Sequence, residues 1–171
     1  MSGVIRKEEY MTFKELCDAQ VMWKFRPGEL QKLTQNGGIA LICGDGDIDV
    51  GPYHRQGIER PHSLRTFGGP MLLAPTFRGY SQKLAEGLLE NISWGMKAKD
   101  TGTVFFYLHY PCGVASMFKM EMEQVIELAV DINNVLWHNQ FFTPKEVFGF
   151  FHIRRLAASG KEKQNTYRLI F

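Results

Sequence analysis

Five large apolar side chains stand in a row at Val104-Phe105-Phe106-Tyr107-Leu108. A strand with one wet face alternates polar and apolar residues, whereas a strand covered on both faces has no need to. An unbroken run of this kind, followed by Pro111 and Gly113, predicts an inner strand of a sheet sandwiched by helices. Ile39-Ala40-Leu41-Ile42-Cys43 has the same character and is closed by Gly44 and Gly46. Each run ends in metal-capable side chains, Cys43 and Asp45 after the first, His109 and Cys112 after the second. The ends of parallel strands are where such sheets present functional groups.

The rest of the chain supports an α/β reading. Thr12 to Phe25 predicts a helix, with Thr12 as N-cap and Glu15 as its capping-box partner. Cys17 sits on the apolar side of that helix and reads as a packing residue. A short second helix is expected through Leu30 and Leu33, stopped by Asn36-Gly37-Gly38. Strands follow at Ile39–Cys43 and Ser63–Phe67, with a Gly- and Pro-rich loop between them and an irregular stretch over residues 71–80. Ser81 to Lys97 predicts an amphipathic helix with a Leu84, Leu88, Ile92, Met96 stripe. Thr103–Leu108 is the third strand, and one long helix is expected from Ala115 to His138, carrying Met117, Met120, Val125, Leu128, Ile132 and Leu136. Glu146–Ile153 and Tyr167–Phe171 close the chain as a strand pair around a turn at Ala158-Ser159-Gly160-Lys161. The expected fold is therefore a single α/β domain with a mostly parallel sheet flanked by helices. It comprises an N-terminal helical arm (1–38) and an α/β metal-binding core (39–171).

Composition narrows the function classes. With 171 residues, 44% hydrophobic, the chain can bury one sizeable core. Twenty basic against 18 acidic residues leave a net charge of +2, which argues against an electrostatic nucleic-acid binder. No apolar stretch reaches the roughly 20 residues of a membrane span. The first ten residues lack the apolar core of a signal peptide, so a cytoplasmic location is expected. Three cysteines, Cys17, Cys43 and Cys112, are too few and odd in number for a disulfide framework.

Zinc favours thiolate and imidazole ligands, and three protein ligands with one open position make a catalytic site while four make a closed one. Cys43, His109 and Cys112, with Asp45 beside them, fit that preference. Two other readings use the same residues. A strand cysteine is commonly inert core. Alternatively Cys43 or Cys112 acts as a nucleophile with His109 as its base, although no oxyanion hole is legible. His54 and His62, in or beside the loop, read as proton shuttles or as solvated side chains, and His138 and His152 as structural.

The order of these segments resembles the β-class carbonic anhydrase family. That family carries Cys-x-Asp-x-Arg after its first buried strand, then an Arg-Asn-Ala-Gly-type segment, then His-x-x-Cys-Gly after a later strand. The matching segments are Cys43-Gly44-Asp45-Gly46-Asp47, Arg65-Thr66-Phe67-Gly68-Gly69 and His109-Tyr110-Pro111-Cys112-Gly113. The tail, Val147-Phe148-Gly149-Phe150-Phe151 followed by Gly160 and a final strand, resembles the family's closing strands.

The resemblance implies zinc (Zn2+) held by Cys43, His109 and Cys112, with Asp45 as the carboxylate beside the metal. It implies a carbonate dehydratase-type lyase in which zinc-bound hydroxide attacks CO2, giving bicarbonate, or a related small electrophile, and a homodimer or higher homo-oligomer formed through the N-terminal helices. Phe13, Val21, Trp23 and Phe25 would supply the partner face.

One position departs from the pattern. Asp47 stands where the family has the Arg that pairs with the Asp. Asp45 then loses its tether and can become a fourth ligand, and the added negative charge opposes ionisation of metal-bound water. Arg65 is the best substitute partner, with Arg55, Arg60 and Arg78 as further loop candidates. The alternative to an enzyme is a zinc-stabilised scaffold of the same fold, catalytically silent and used for binding or assembly.

Overall fold

The run at 104–108 lies at the centre of the molecule. A computed structural model describes Ile5 and residues 7–24, 37–45, 61–156 and 162–171. Within it, strand β4 (Thr103–Tyr110) is paired in parallel on both edges, with β2 (Ile39–Cys43) on one side and β5 (Glu146–Leu156) on the other. Val104 to Tyr107 and Ile39, Ala40 and Ile42 are fully buried, as their unbroken apolar runs require. Strand β3 (His62–Thr66) extends the parallel set beyond β2, and its side chains are exposed or half-buried as suits an edge.

On the far side of β5 the sheet turns antiparallel. Strand β6 (Glu162–Leu169) pairs antiparallel to β5, and β1 (Met22–Lys24) pairs antiparallel to β6. The order is β1-β6-β5-β4-β2-β3. The sheet is mixed, with four parallel strands and the expected C-terminal antiparallel pair, to which the N-terminal segment adds a sixth strand.

That strand corrects the helix expected over Thr12–Phe25. Helix α1 runs Lys7–Asp18, so Thr12 lies inside it and its hydroxyl donates to the Glu8 carbonyl at 3.5 Å instead of capping the N-terminus. The helix ends in paired bonds, Val21 N–H to Leu16 O and Gln20 N–H to Cys17 O, with Gln20 left-handed at φ 59°. This is the Schellman arrangement, and it releases Met22 to enter the sheet buried. Phe13 packs edge-on against Tyr167 (4.6 Å between centroids) and stacks on Phe151 (6.5 Å). It is therefore core within its own chain and not a face for a partner, whereas Val21 and Trp23 are exposed. The second helix expected around Leu30 and Leu33, Phe25, and the turn at 158–161 lie outside the described residues.

Helix α2 (Gln82–Lys99) packs beside β2 and β3. Its buried stripe is Ala85, Leu88, Leu89, Ile92, Ser93 and Met96, while Leu84 is exposed. The single helix expected from Ala115 to His138 is two. Helix α3 (Gly113–Met117) stops before Lys119, left-handed at φ 52°. Helix α4 (Met122–His138) restarts under a capping box in which Glu121 and Gln124 exchange side-chain and backbone bonds. The break leaves Met117 exposed, while Met120, Val125, Leu128, Ile132 and Leu136 are buried as expected. The stretch expected to be irregular opens with a 3₁₀ helix, Gly69–Leu73, which contacts β2, β4 and α4. The last strand starts at Glu162, five residues before the expected Tyr167. Among the described residues no helix is long and apolar enough to cross a membrane.

Candidate metal centre

The chain leaves β2 to form β3 on one side, then returns through α2 to form β4 on the other side of β2. Successive connections thus depart in opposite directions between β2 and β4, and a crevice opens there at their carboxyl ends. β2 stops at Cys43, while β4 continues to Tyr110 and then turns through a cis Tyr110–Pro111 peptide to Cys112, the N-cap of α3. The two ligand-bearing segments therefore meet at one edge of the sheet.

Cys43, Asp45, His109 and Cys112 converge there, each offering a donor atom within 4.8 Å of all the others. Donors bound to zinc at about 2.0–2.3 Å stand roughly 3.3–3.8 Å apart, so small side-chain rotations bring this set to tetrahedral spacing. Cys43 and Cys112 are each 1% exposed and His109 5%. The Nε2 of His109 is buried with no hydrogen-bond partner. A buried polar atom left unmatched is costly, and a metal would satisfy it. The donor set and this orphaned nitrogen together fit zinc.

The two thiols shift one another. Cys43 is held well below the ordinary thiol range, chiefly by the neighbouring Cys112 thiol, with burial opposing the fall and the His109 imidazole adding to it. Cys112 is pushed up by the Cys43 sulfur beside it, with burial adding to the rise. The metal-free pair thus holds one proton between two sulfurs, and metal binding must expel it.

Two glycines let the backbone reach the site. Gly69 has φ 50°, and a Cβ there would stand 2.6 Å from the Cys43 nitrogen. Only glycine allows the segment after β3 to pass the end of β2 so closely. Gly113 donates its N–H to Asp45 Oδ2 at 2.5 Å, and a Cβ at Gly113 would lie 3.1 Å from that oxygen. Asp45 therefore has a partner, the first backbone N–H of α3, which the sequence did not suggest. A carboxylate beside a glycine N–H at a helix start leaves no pattern in one-dimensional spacing.

Arg65 lies on β3 level with Ile42, exposed, while Thr66 is the residue level with Cys43. Among the described residues no ion pair joins Arg65 to Asp45. Arg78 donates to the Phe118 carbonyl at 3.2 Å. Asp47, His54, Arg55 and Arg60 lie outside the described residues. His62 begins β3 level with Ile39, at the opposite end of the strands from Cys43. A strand of this length separates it from the centre by about 13 Å, so it reads as the solvated side chain. His138 Nδ1 stands 2.9 Å from the Asn134 carbonyl on its own helix, a structural role.

Two contacts around the site have no local sequence signal, and one of them gives His152 its structural role. The Tyr110 hydroxyl donates to Glu9 at 3.0 Å, which ties the end of β4 to α1. His152 is the ladder neighbour of His109, and its Nδ1 is hydrogen-bonded to the buried Thr166 hydroxyl at 2.7 Å. Below it the same face carries the register pairs Tyr107–Phe150 (5.0 Å) and Phe105–Phe148 (5.7 Å), a column of stacked rings beneath the imidazoles. Compared with models of known protein families and with curated proteins, the chain matches none of either.

Proposed function

We propose that this chain is a zinc protein with carbonic-anhydrase-like chemistry, hydrating CO2 to bicarbonate at the carboxyl ends of β2 and β4. The observation that carries the reading is the Asp45 carboxylate, anchored through Oδ2 by Gly113 N–H beside Cys43, His109 and Cys112. A zinc ion held by those three residues supplies the Lewis acidity that makes water a nucleophile near neutral pH. Asp45 has the orienting role. With Oδ2 fixed, Oδ1 accepts a water hydrogen and sets which lone pair faces an incoming CO2. The Gly113 N–H takes the place of the arginine that the family pattern would put two residues after Asp45. The negative charge of two thiolates and a carboxylate disfavours an anion in the site, which favours release of bicarbonate.

A second reading rests on the same carboxylate. The Asp45 donor atom falls within the same 4.8 Å as the other three. With four protein ligands the site would be closed and the metal structural, and the chain would then be a zinc-stabilised scaffold for binding or assembly.

Metal analysis and stopped-flow CO2 hydration separate the two. Both readings expect about one zinc per chain, and a chain purified without added chelator that carries no metal, and takes up none from stoichiometric zinc, fails both. The enzyme reading expects hydration that rises between about pH 7 and 9, and an Asp45→Asn variant that keeps its zinc and loses the activity. Zinc without hydration in the unaltered chain, across that range, selects the scaffold.

A further inference from the structure

The antiparallel edge of the sheet, away from the metal centre, holds a cavity of about 330 Å³ between β1, β6, the start of β5 and α4. Trp23, Trp137, Phe148 and Phe171 give it aromatic walls, with Arg168 and Asn133 as its polar groups. Trp23 is 51% exposed, Trp137 41% and Phe171 53%. Aromatic surface concentrated in this way around a concavity marks a binding site more often than a casual surface.

Arg168 gives the cavity its chemistry. It is the ladder partner of Trp23, and its guanidinium lies 5.9 Å from the Trp23 ring and 5.0 Å from the Phe148 ring. The two rings flank the guanidinium without using its N–H donors, and no carboxylate pairs with it among the described residues. No acidic side chain lines the cavity. The lining thus offers a pre-positioned cation, further donors from an amide and two indoles, and flat apolar walls. Its volume is at the lower end of small-molecule sites, roughly 300–1,000 Å³.

We propose that this cavity binds a small organic anion with a planar ring, of the aromatic carboxylate class, its carboxylate on Arg168 and its ring among the Trp23, Trp137 and Phe171 side chains. The forked guanidinium matches a carboxylate with two parallel bonds. The aromatic walls add stacking area that a bare inorganic anion would not use.

The chain has three tryptophans, and Trp94, exposed on α2, does not line the cavity. It is a built-in control. Benzoate and the uncharged benzamide are titrated into the 15N-labelled full chain while the three indole N–H resonances are followed. The expected result is saturable movement of the Trp23 and Trp137 signals with benzoate, a still Trp94, and binding of benzamide about tenfold weaker. Arg168→Gln should weaken benzoate by a similar factor. If that variant does not fold, Trp137→Phe, on an exposed helix position, should weaken benzoate several-fold in a folded chain. The proposal is overturned if benzamide binds as well as benzoate or if all three indoles move alike. It also fails if the folded variants bind benzoate unchanged, or if nothing saturates by about 10 mM. Indole shifts that follow dilution of the protein instead of benzoate would make this face a contact between copies of the chain, and would overturn it too.

Discussion

The carboxyl ends of β2 and β4 bury polar groups, while the antiparallel edge at β1 and β6 exposes apolar ones. At the first, two thiols and an imidazole are at most 5% exposed. At the second, Trp23, Trp137 and Phe171 are 41–53% exposed around a guanidinium. A buried imidazole nitrogen without a partner and a cluster of exposed rings are both out of the ordinary, and for opposite physical reasons. Buried thiols and an orphaned imidazole nitrogen are satisfied by a cation, which needs desolvated and deprotonated donors. Exposed rings around a fixed cation are satisfied by a flat anion, which needs access. The parallel strands can hold the first because their carboxyl ends converge at a change of direction. Among the described residues β1 pairs with Tyr167, Arg168 and Leu169 of β6, which sets Trp23 beside Arg168 at the second.

The largest expected effect falls on the metal end alone. Cys112→Ser removes a thiolate and should take the zinc content from about one per chain to a small fraction of that. A metal present at about 100–1,000 times its Kd stabilises by about 3–4 kcal/mol. For a chain of this size its loss lowers the Tm by about 6–16 °C. Chelating the unaltered protein should reproduce the shift, while the Trp23 and Trp137 resonances keep their benzoate response. A variant that retains zinc would remove Cys112 from the ligand set. One that loses the benzoate response as well would show that the two regions are not separate.

The next effect is on pH. Cys43 lies below its ordinary range and Cys112 above, so over neutral pH the metal-free pair keeps one proton, mainly on Cys112. Zinc must displace that proton, so acid competes with metal and affinity rises with pH, by about tenfold per unit for one proton released. Competition against a chelating indicator between about pH 6 and 8 measures the slope. A flat profile would mean that the pair is already fully ionised or that the thiols do not bind the metal. No thiol, imidazole or carboxylate side chain lines the edge cavity, so it should hold benzoate with no comparable slope. This contrast separates the two regions by titration.

Much of the metal end was legible in the sequence, and almost none of the edge was. Unbroken apolar runs report burial on both faces directly, so β2 and β4 and the residues at their ends could be read off. Cys43, Asp45, His109 and Cys112 duly stand together. The Gly113 N–H, the Tyr110–Glu9 bond and the His152–Thr166 bond join residues 14 to 101 positions apart and leave no local pattern. At the edge, Met22-Trp23-Lys24 is too short to show a strand period and follows a helix-like stretch, so helical spacing runs through it in the sequence. Only the backbone bonds at Leu16 and Cys17 end that helix. The long helix failed for a related reason, since Glu121 with Gln124 is an unusual capping box and no glycine marks the left-handed Lys119.

The smallest effect tests how tightly the metal end is tuned. Gly113→Ala keeps the N–H that holds Asp45 but adds a methyl 3.1–3.2 Å from its two oxygens, so the carboxylate must give by a few tenths of an ångström. Disturbing groups that orient metal ligands costs about 10–100-fold in affinity or activity. With the bond itself retained, about tenfold is expected. The same change replaces glycine by alanine at the start of α3, which favours the fold by about 0.4–1 kcal/mol through the unfolded chain. The two consequences have opposite signs: the metal-free Tm holds or rises slightly while zinc affinity or CO2 hydration falls. A simple packing defect would lower both, and a carboxylate with no part in the site would leave the second unchanged. Benzoate affinity at Arg168 should not move in either direction. If it does, the sheet transmits a displacement of Asp45 across β4 and β5, and the two ends of the molecule act as one site.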